Sequence, residues 1–164
     1  MLSLPTSILV ADDGSTEADM ALGTAVAVAR ATASTLSLVH VKSLEPIVAG
    51  TTVTPAQVDR LREQGEALVE RRGSETSTQG VELDHAVVRL ARRIEATVIR
   101  TAAELGTGLL VVGARGGTPG SRRALGDLSL RLARDAHCSV LVVRAQATEG
   151  AQRSGPEDQR EEHR

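Results

Sequence analysis

The residues with the greatest capacity for chemistry lie in one stretch, Gly113-Ala114-Arg115-Gly116-Gly117-Thr118-Pro119-Gly120-Ser121-Arg122-Arg123-Ala124-Leu125-Gly126-Asp127. Glycines allow backbone N–H groups to approach an anion closely, and a following helix N-terminus adds partial positive charge. Arg115, Arg122 and Arg123 supply up to three side-chain cations. Types and spacing together predict a phosphate cradle. The plainer alternative is a βα connection whose glycines only make the turn, but about thirteen residues is long for such a connection. The stretch is neither a P-loop, since no Gly-Lys-Ser/Thr ends it, nor a dinucleotide fingerprint, since it follows a late strand.

The flanking residues show what must hold this loop. Leu109-Leu110-Val111-Val112 is an unbroken apolar run, the pattern of a parallel strand buried on both faces. Leu128, Leu132, Ala133 and Ala136 recur at helical spacing, which predicts a helix over 127–136. Ahead of these, Ile8-Leu9-Val10-Ala11 predicts a first strand, and Asp12-Asp13-Gly14-Ser15-Thr16 supplies turn and cap chemistry. Ala18, Ala21, Leu22, Ala25, Val28 and Ala29 mark a helix over 16–32, whose small apolar face suits close packing on a sheet.

Thr35 to Val41 reads as the second strand, and 43–54 as a loop. Pro55 fits a helix first turn, and Val58, Leu61, Gly65 and Leu68 mark a helix ending near Arg72-Gly73. The Ser/Thr run at 74–78 reads as loop. Val81 to Arg89 reads as strand three. Ile94, Val98, Thr101, Ala102 and Leu105 mark a third helix, stopped by Gly106. Ser139 to Val143 is strand five. Strands alternating with helices imply a parallel α/β sheet in one domain over 1–144. Residues 145–164 lack apolar periodicity and read as a disordered tail.

Composition excludes several classes. The 164 residues carry a net charge of −2 and no aromatic residue. Nothing there favours nucleic acid or a membrane, and RNA recognition would lack its stacking platforms. Any bound base must rest in an aliphatic slot. A single cysteine excludes an internal disulfide framework. With no apolar run of membrane-spanning length and no signal pattern, a cytoplasmic location is expected.

Individual residues weigh toward binding rather than catalysis. Asp12 and Asp13 adjoin at a strand end, where neighbouring side chains point to opposite sides, so they do not make a carboxylate pair. His40 suits a satisfied strand histidine, His85 a solvated edge position, and His137 the end of a helix. Cys138 suits a small buried hydrophobe. Asp127 fits the N-cap of the last helix. No nucleophile, base and orienting group assemble, no metal motif occurs, and no catalytic or metal-binding residue is assigned.

Gly113, two residues, Gly116, nine residues, Gly126 resembles the nucleotide loop of the universal stress protein family. Ile8-Leu9-Val10-Ala11-Asp12-Asp13-Gly14-Ser15 resembles its opening strand and turn, and Leu38-Val39-His40-Val41 its second strand. His137-Cys138-Ser139-Val140-Leu141-Val142-Val143-Arg144 resembles its last strand. The resemblance implies a doubly wound, open parallel five-stranded sheet of order 3-2-1-4-5 with helices on both faces. It also implies a ligand crevice between strands one and four. In members that bind ATP, the acid matched by Asp13 contacts the adenosine, and the backbone matched by Ala11 and Val41 lines the base slot. Backbone groups matched by Gly113, Gly116, Gly126, Asp127 and Leu128 hold phosphates, and the Arg115 cation noted above joins them as a nucleotide-binding candidate on its charge alone.

This chain departs from the family where Asp127 replaces a Ser or Thr. The resemblance implies a stress-response protein that binds ATP or another adenine nucleotide, with or without Mg²⁺. It would act as a regulatory homodimer through strand 139–144 and engage a protein partner the residues do not name. Two alternatives stay open: the same fold as a dimeric interaction protein without nucleotide, and a slow ATP hydrolase with Asp127 or Asp13 handling Mg²⁺.

Overall fold

The computed structural model describes residues 4–45, 52–115 and 126–145. The elements in order are β1 (Ser7–Ala11), α1 (Thr16–Thr32), β2 (Thr35–Ser43), α2 (Pro55–Thr78), β3 (Leu83–Ala91), α3 (Ile94–Glu104), β4 (Leu109–Gly113), α4 (Asp127–Asp135) and β5 (Ser139–Val143). The five strands form one sheet of order β3-β2-β1-β4-β5, and every pairing is parallel. The tail expected to be disordered lies outside the described residues from 146 onward.

The core follows from strand periodicity, because successive side chains point to opposite faces. Ile8 and Val10 pack with Leu36, Leu38 and Val111 beneath α1, joined by Val69 of α2. Leu9 and Ala11 pack with Val39, Leu110 and Val112 on the other face, beneath Val98 and Ala102 of α3 and Leu132 of α4. β1 is therefore buried on both faces, as its unbroken apolar run requires. Helices cover both sides of the sheet.

Local signals set most boundaries. Ser15 caps α1, its Oγ accepting the Ala18 N–H at 3.2 Å. Thr54 and Gln57 form a reciprocal capping box at the start of α2, with Pro55 next in line. Gly106, at φ +60°, ends α3 in the left-handed region.

The Ser/Thr run at 74–78, expected as loop, is helix, and α2 continues to Thr78. Hydroxyls in such a run usually compete with the helix, but here they bond back along it. Ser74 Oγ donates to the Glu70 carbonyl, Thr76 Oγ1 to Gly73 and Thr78 Oγ1 to Glu75. Tertiary packing decides the matter, because Arg72 and Thr76 are both buried against the domain. Smaller shifts occur at β2, which runs on to Ser43, and at β3, which runs from Leu83 to Ala91.

Candidate functional site

The sheet order reverses between β1 and β4. β1 pairs with β2 on one side and β4 on the other, and a doubly wound sheet receives ligands beyond the strand C-termini at such a point. Ala11 and Val112 are register partners at that end, and Val41 lies two residues past Val39, the partner of Ala11 in β2. Ala11, Val112, Val41 and Leu128 share one apolar cluster. That gives an aliphatic wall at the crevice.

The glycine segment closes on itself here. The Gly126 N–H donates to the Ala114 carbonyl at 2.7 Å, and Ser129 Oγ reaches the same carbonyl at 2.8 Å. A Cβ on Gly126 would stand 3.2 Å from that carbonyl oxygen, so the closure favours glycine at this position. The N-terminus of α4 therefore opens beside the end of β4. Asp127 is not the N-cap expected for it. Gly126 holds that position with extended backbone, and Asp127 is the exposed first helical residue with no side-chain cap bond. The tie to Ala114 already sets the entry of the chain into the helix, so no capping carboxylate is needed there.

Gly113 ends β4 against α1. A Cβ there would lie 3.1 Å from both the Cβ and the carbonyl carbon of Glu17. This close approach lets the Glu17 carboxylate span the crevice mouth. Its Oε2 accepts the backbone N–H of Arg115 and its Oε1 the Arg115 guanidinium, each at 2.5 Å. The Glu17 side chain is 12% exposed.

The turn after β1 is built by two carboxylates with separate tasks. Asp13 is exposed, and its Oδ1 accepts the Ser15 N–H at 3.0 Å. Asp12 is buried: Oδ1 accepts the Gly14 N–H at 2.7 Å and Oδ2 takes Arg72 Nε at 2.7 Å. Gly14 sits at φ +80°, a conformation glycine adopts without strain. Arg72 spends its other nitrogens on Glu75 and on Asp19, tying β1, α1 and α2 to one guanidinium. Burial alone would lower the Arg72 pKa. The hydrogen bonds to Glu75 and Asp19 and the charge of Asp12 together outweigh it and hold the pKa above the ordinary value. Nδ1 of His40 lies 2.6 Å from the Asp12 carbonyl oxygen, so it carries the proton and donates. Nε2 of the same ring is buried without a hydrogen-bond partner among the described residues.

Of the residues singled out from sequence, Ala11, Asp13, Val41, Gly113, Arg115, Gly126, Asp127 and Leu128 all lie around the C-terminal ends of β1 and β4 and the turns beyond them. Gly116, Arg122 and Arg123 lie outside the described residues. Glu17, Ser129 and the Arg72 cluster were not foreseen. Arg72 left a signal, since it falls in register with Gly65, Leu68, Val69 and Thr76 on the buried face of α2. Glu17 left none, because its partner stands 98 residues away. Among the described residues, no group of three or more His, Cys, Asp or Glu could hold a metal ion. None of their helices is long and apolar enough to cross a membrane.

The model of the universal stress protein family matches residues 6–144. No curated protein sequence matches the chain. Among solved structures, a universal stress protein family member from Burkholderia pseudomallei is 29% identical with a TM-score of 0.66, covering 88% of this chain and 100% of that one. A family protein from Arabidopsis thaliana with AMP bound is 20% identical with a TM-score of 0.61, covering 91% and 97% respectively. A universal stress protein in complex with cAMP is also 20% identical at a TM-score of 0.61, covering 87% and 98%. With the crossed-over parallel sheet, the glycine segment at its reversal point and the match across nearly the whole described chain, this protein belongs to the universal stress protein family.

Proposed function

We propose that the chain is a regulatory stress-response protein that takes an adenine nucleotide, ATP or AMP, in the crevice between β1 and β4 and works in the cytoplasm. The observation that carries this reading is the closure of the glycine segment at the sheet reversal. Gly126 N–H meets the Ala114 carbonyl, and α4 starts beside an aliphatic wall of Ala11, Val41, Val112 and Leu128. The helix start supplies backbone donors for phosphate, and the wall accepts a base without aromatic stacking. The AMP and cAMP complexes of proteins with the same fold support the ligand class. Mass spectrometry of ligand released from purified protein, followed by calorimetry with ATP and AMP, tests it. Binding of neither sinks the proposal.

Asp127 shapes the expected affinity. Its carboxylate stands at the first position of α4, where it repels phosphate and donates no hydrogen bond. Asp127→Ser therefore strengthens ATP binding by about tenfold in the absence of Mg²⁺, and Mg²⁺ narrows the gap by bridging carboxylate and phosphate. The same substitution removes a favourable charge from the helix N-terminus and costs about 0.5 kcal/mol of stability. Calorimetry and urea unfolding on both proteins check the two effects.

The proposal extends to a homodimer through β5. That strand is an apolar edge, Ser139-Val140-Leu141-Val142-Val143, and uncovered edges tend to pair. A mass measurement at roughly tens of micromolar is expected to return twice the chain mass. Val142→Lys shifts it to monomer with the far-ultraviolet circular dichroism retained.

A second reading is a dimeric interaction protein without nucleotide. Glu17 favours it, because its carboxylate already holds the Arg115 amide and guanidinium. Absence of adenine-nucleotide binding together with a persistent dimer is its signature.

A further inference from the structure

We infer that Glu17 sets ligand specificity at this crevice: it is a tethered anion that occupies the first loop amide and must be displaced by any ligand phosphate. The inference rests on the nucleotide reading of the site and adds to it a discrimination against phosphorylated ligands.

Arg115 is the first residue of the loop beyond Ala114, and its backbone N–H and guanidinium both face the crevice end of α1 through Glu17. An amide and a guanidinium converging on one carboxylate are what a phosphate oxygen would require. Among the described residues of the loop, Arg115 is the one cation, so Glu17 neutralises the attraction described there. The grip is enforced by the fold. Gly113 lets the first turn of α1 lie within 3.1 Å of where its Cβ would stand, and Ser15 caps that turn. Glu17 therefore cannot drift away with a flexible segment; only its side chain can swing.

A phosphate entering the same place meets a carboxylate that competes for both donors and repels it across a partly buried mouth. Adenosine meets no such competitor, because its base and ribose ask nothing of Arg115. The crevice in its resting state thus prefers the nucleoside portion of a ligand and resists the phosphates. Expelling Glu17 is the event that couples phosphate binding to the N-terminus of α1.

Glu17→Gln is the informative variant. The amide oxygen of glutamine still accepts the Arg115 N–H, so the fold contact persists while the charge is gone. In calorimetry without Mg²⁺, Glu17→Gln is expected to bind ATP at least about tenfold more tightly than the parent, with adenosine affinity changed by less than about twofold. Equal changes for ATP and adenosine, or none, overturn the inference while leaving nucleotide binding intact. If neither protein binds any adenine compound, the nucleotide reading fails, and tripolyphosphate then judges Glu17 by itself. Movement of the Arg115 amide resonance by tripolyphosphate in Glu17→Gln but not in the parent supports the tethered anion. Equal movement in both, or in neither, overturns it.

Discussion

Arg72→Met is expected to lower the stability of the domain by about 3–5 kcal/mol, the cost typical of leaving one partner of a buried ion pair uncompensated. In a domain of this size that is a fall in Tm of roughly 10 °C or more. The Asp12 carboxylate is fully buried and, among the described residues, would keep the Gly14 N–H as its one donor. Asp19 and Glu75 would lose their shared guanidinium as well, but they reach water and suffer less. Adding Asp12→Asn removes the stranded charge and keeps an oxygen for Gly14, so the double variant recovers about 2 kcal/mol. Urea unfolding of the parent, both single variants and the double variant completes the cycle. A single variant within about 1 kcal/mol of the parent would mean that Arg72 is not the hub of the turn.

The pH dependence of this deficit has a definite sign. The folded-state pKa of Arg72 is raised above its unfolded value. Its contribution is therefore fully present below the unfolded arginine pKa and is lost only as pH rises beyond it, in strong alkali. The gap between parent and Arg72→Met should stay constant from about pH 8 to about pH 10 and narrow below that window, where protonation relieves the carboxylate stranded in the variant. A gap that closes within that window would point to a different titrating group.

Gly113→Val is the second large effect. A Cβ added at this position would stand 3.1 Å from two Glu17 atoms and 3.2 Å from the Glu17 carbonyl oxygen. Those atoms belong largely to helix backbone, which cannot rotate aside as a side-chain tip can. Alanine should cost about 1 kcal/mol and valine, with two further methyls, about 3 kcal/mol. The strain is relieved by pushing the start of α1 off the end of β4, and that breaks the Glu17–Arg115 contact. Unlike Glu17→Gln, this change distorts the whole crevice mouth, so adenosine and ATP should weaken together. Thermal unfolding and paired titrations separate the two variants. A valine variant as stable as the parent would show that α1 does not approach β4 as closely as described.

The class of the fold and the order of its elements were legible in the sequence. Apolar runs of strand length alternating with helical spacing are local properties, and a parallel sheet is their only consistent assembly. The bounds 16–32 for α1 were legible from the Ser15 cap and the helical spacing of its alanines, and 139–143 for β5 from an unbroken apolar run after one serine. The glycine spacing marked the loop, since a backbone that must close tightly needs glycine at the closing points. The partners of charged side chains were set by tertiary contacts alone. Arg72 meets Asp12 across 60 residues, and Glu17 meets Arg115 across 98. A window of sequence reads Arg72 as one more cation in a polar helix and Ser/Thr 74–78 as a break. Burial against β1 and α1 overrides both, because among the described residues Arg72 is the cation that neutralises Asp12. Periodicity reports which face of an element is apolar. It carries no record of which distant element will cover that face, and the charges at this crevice take their roles from that covering.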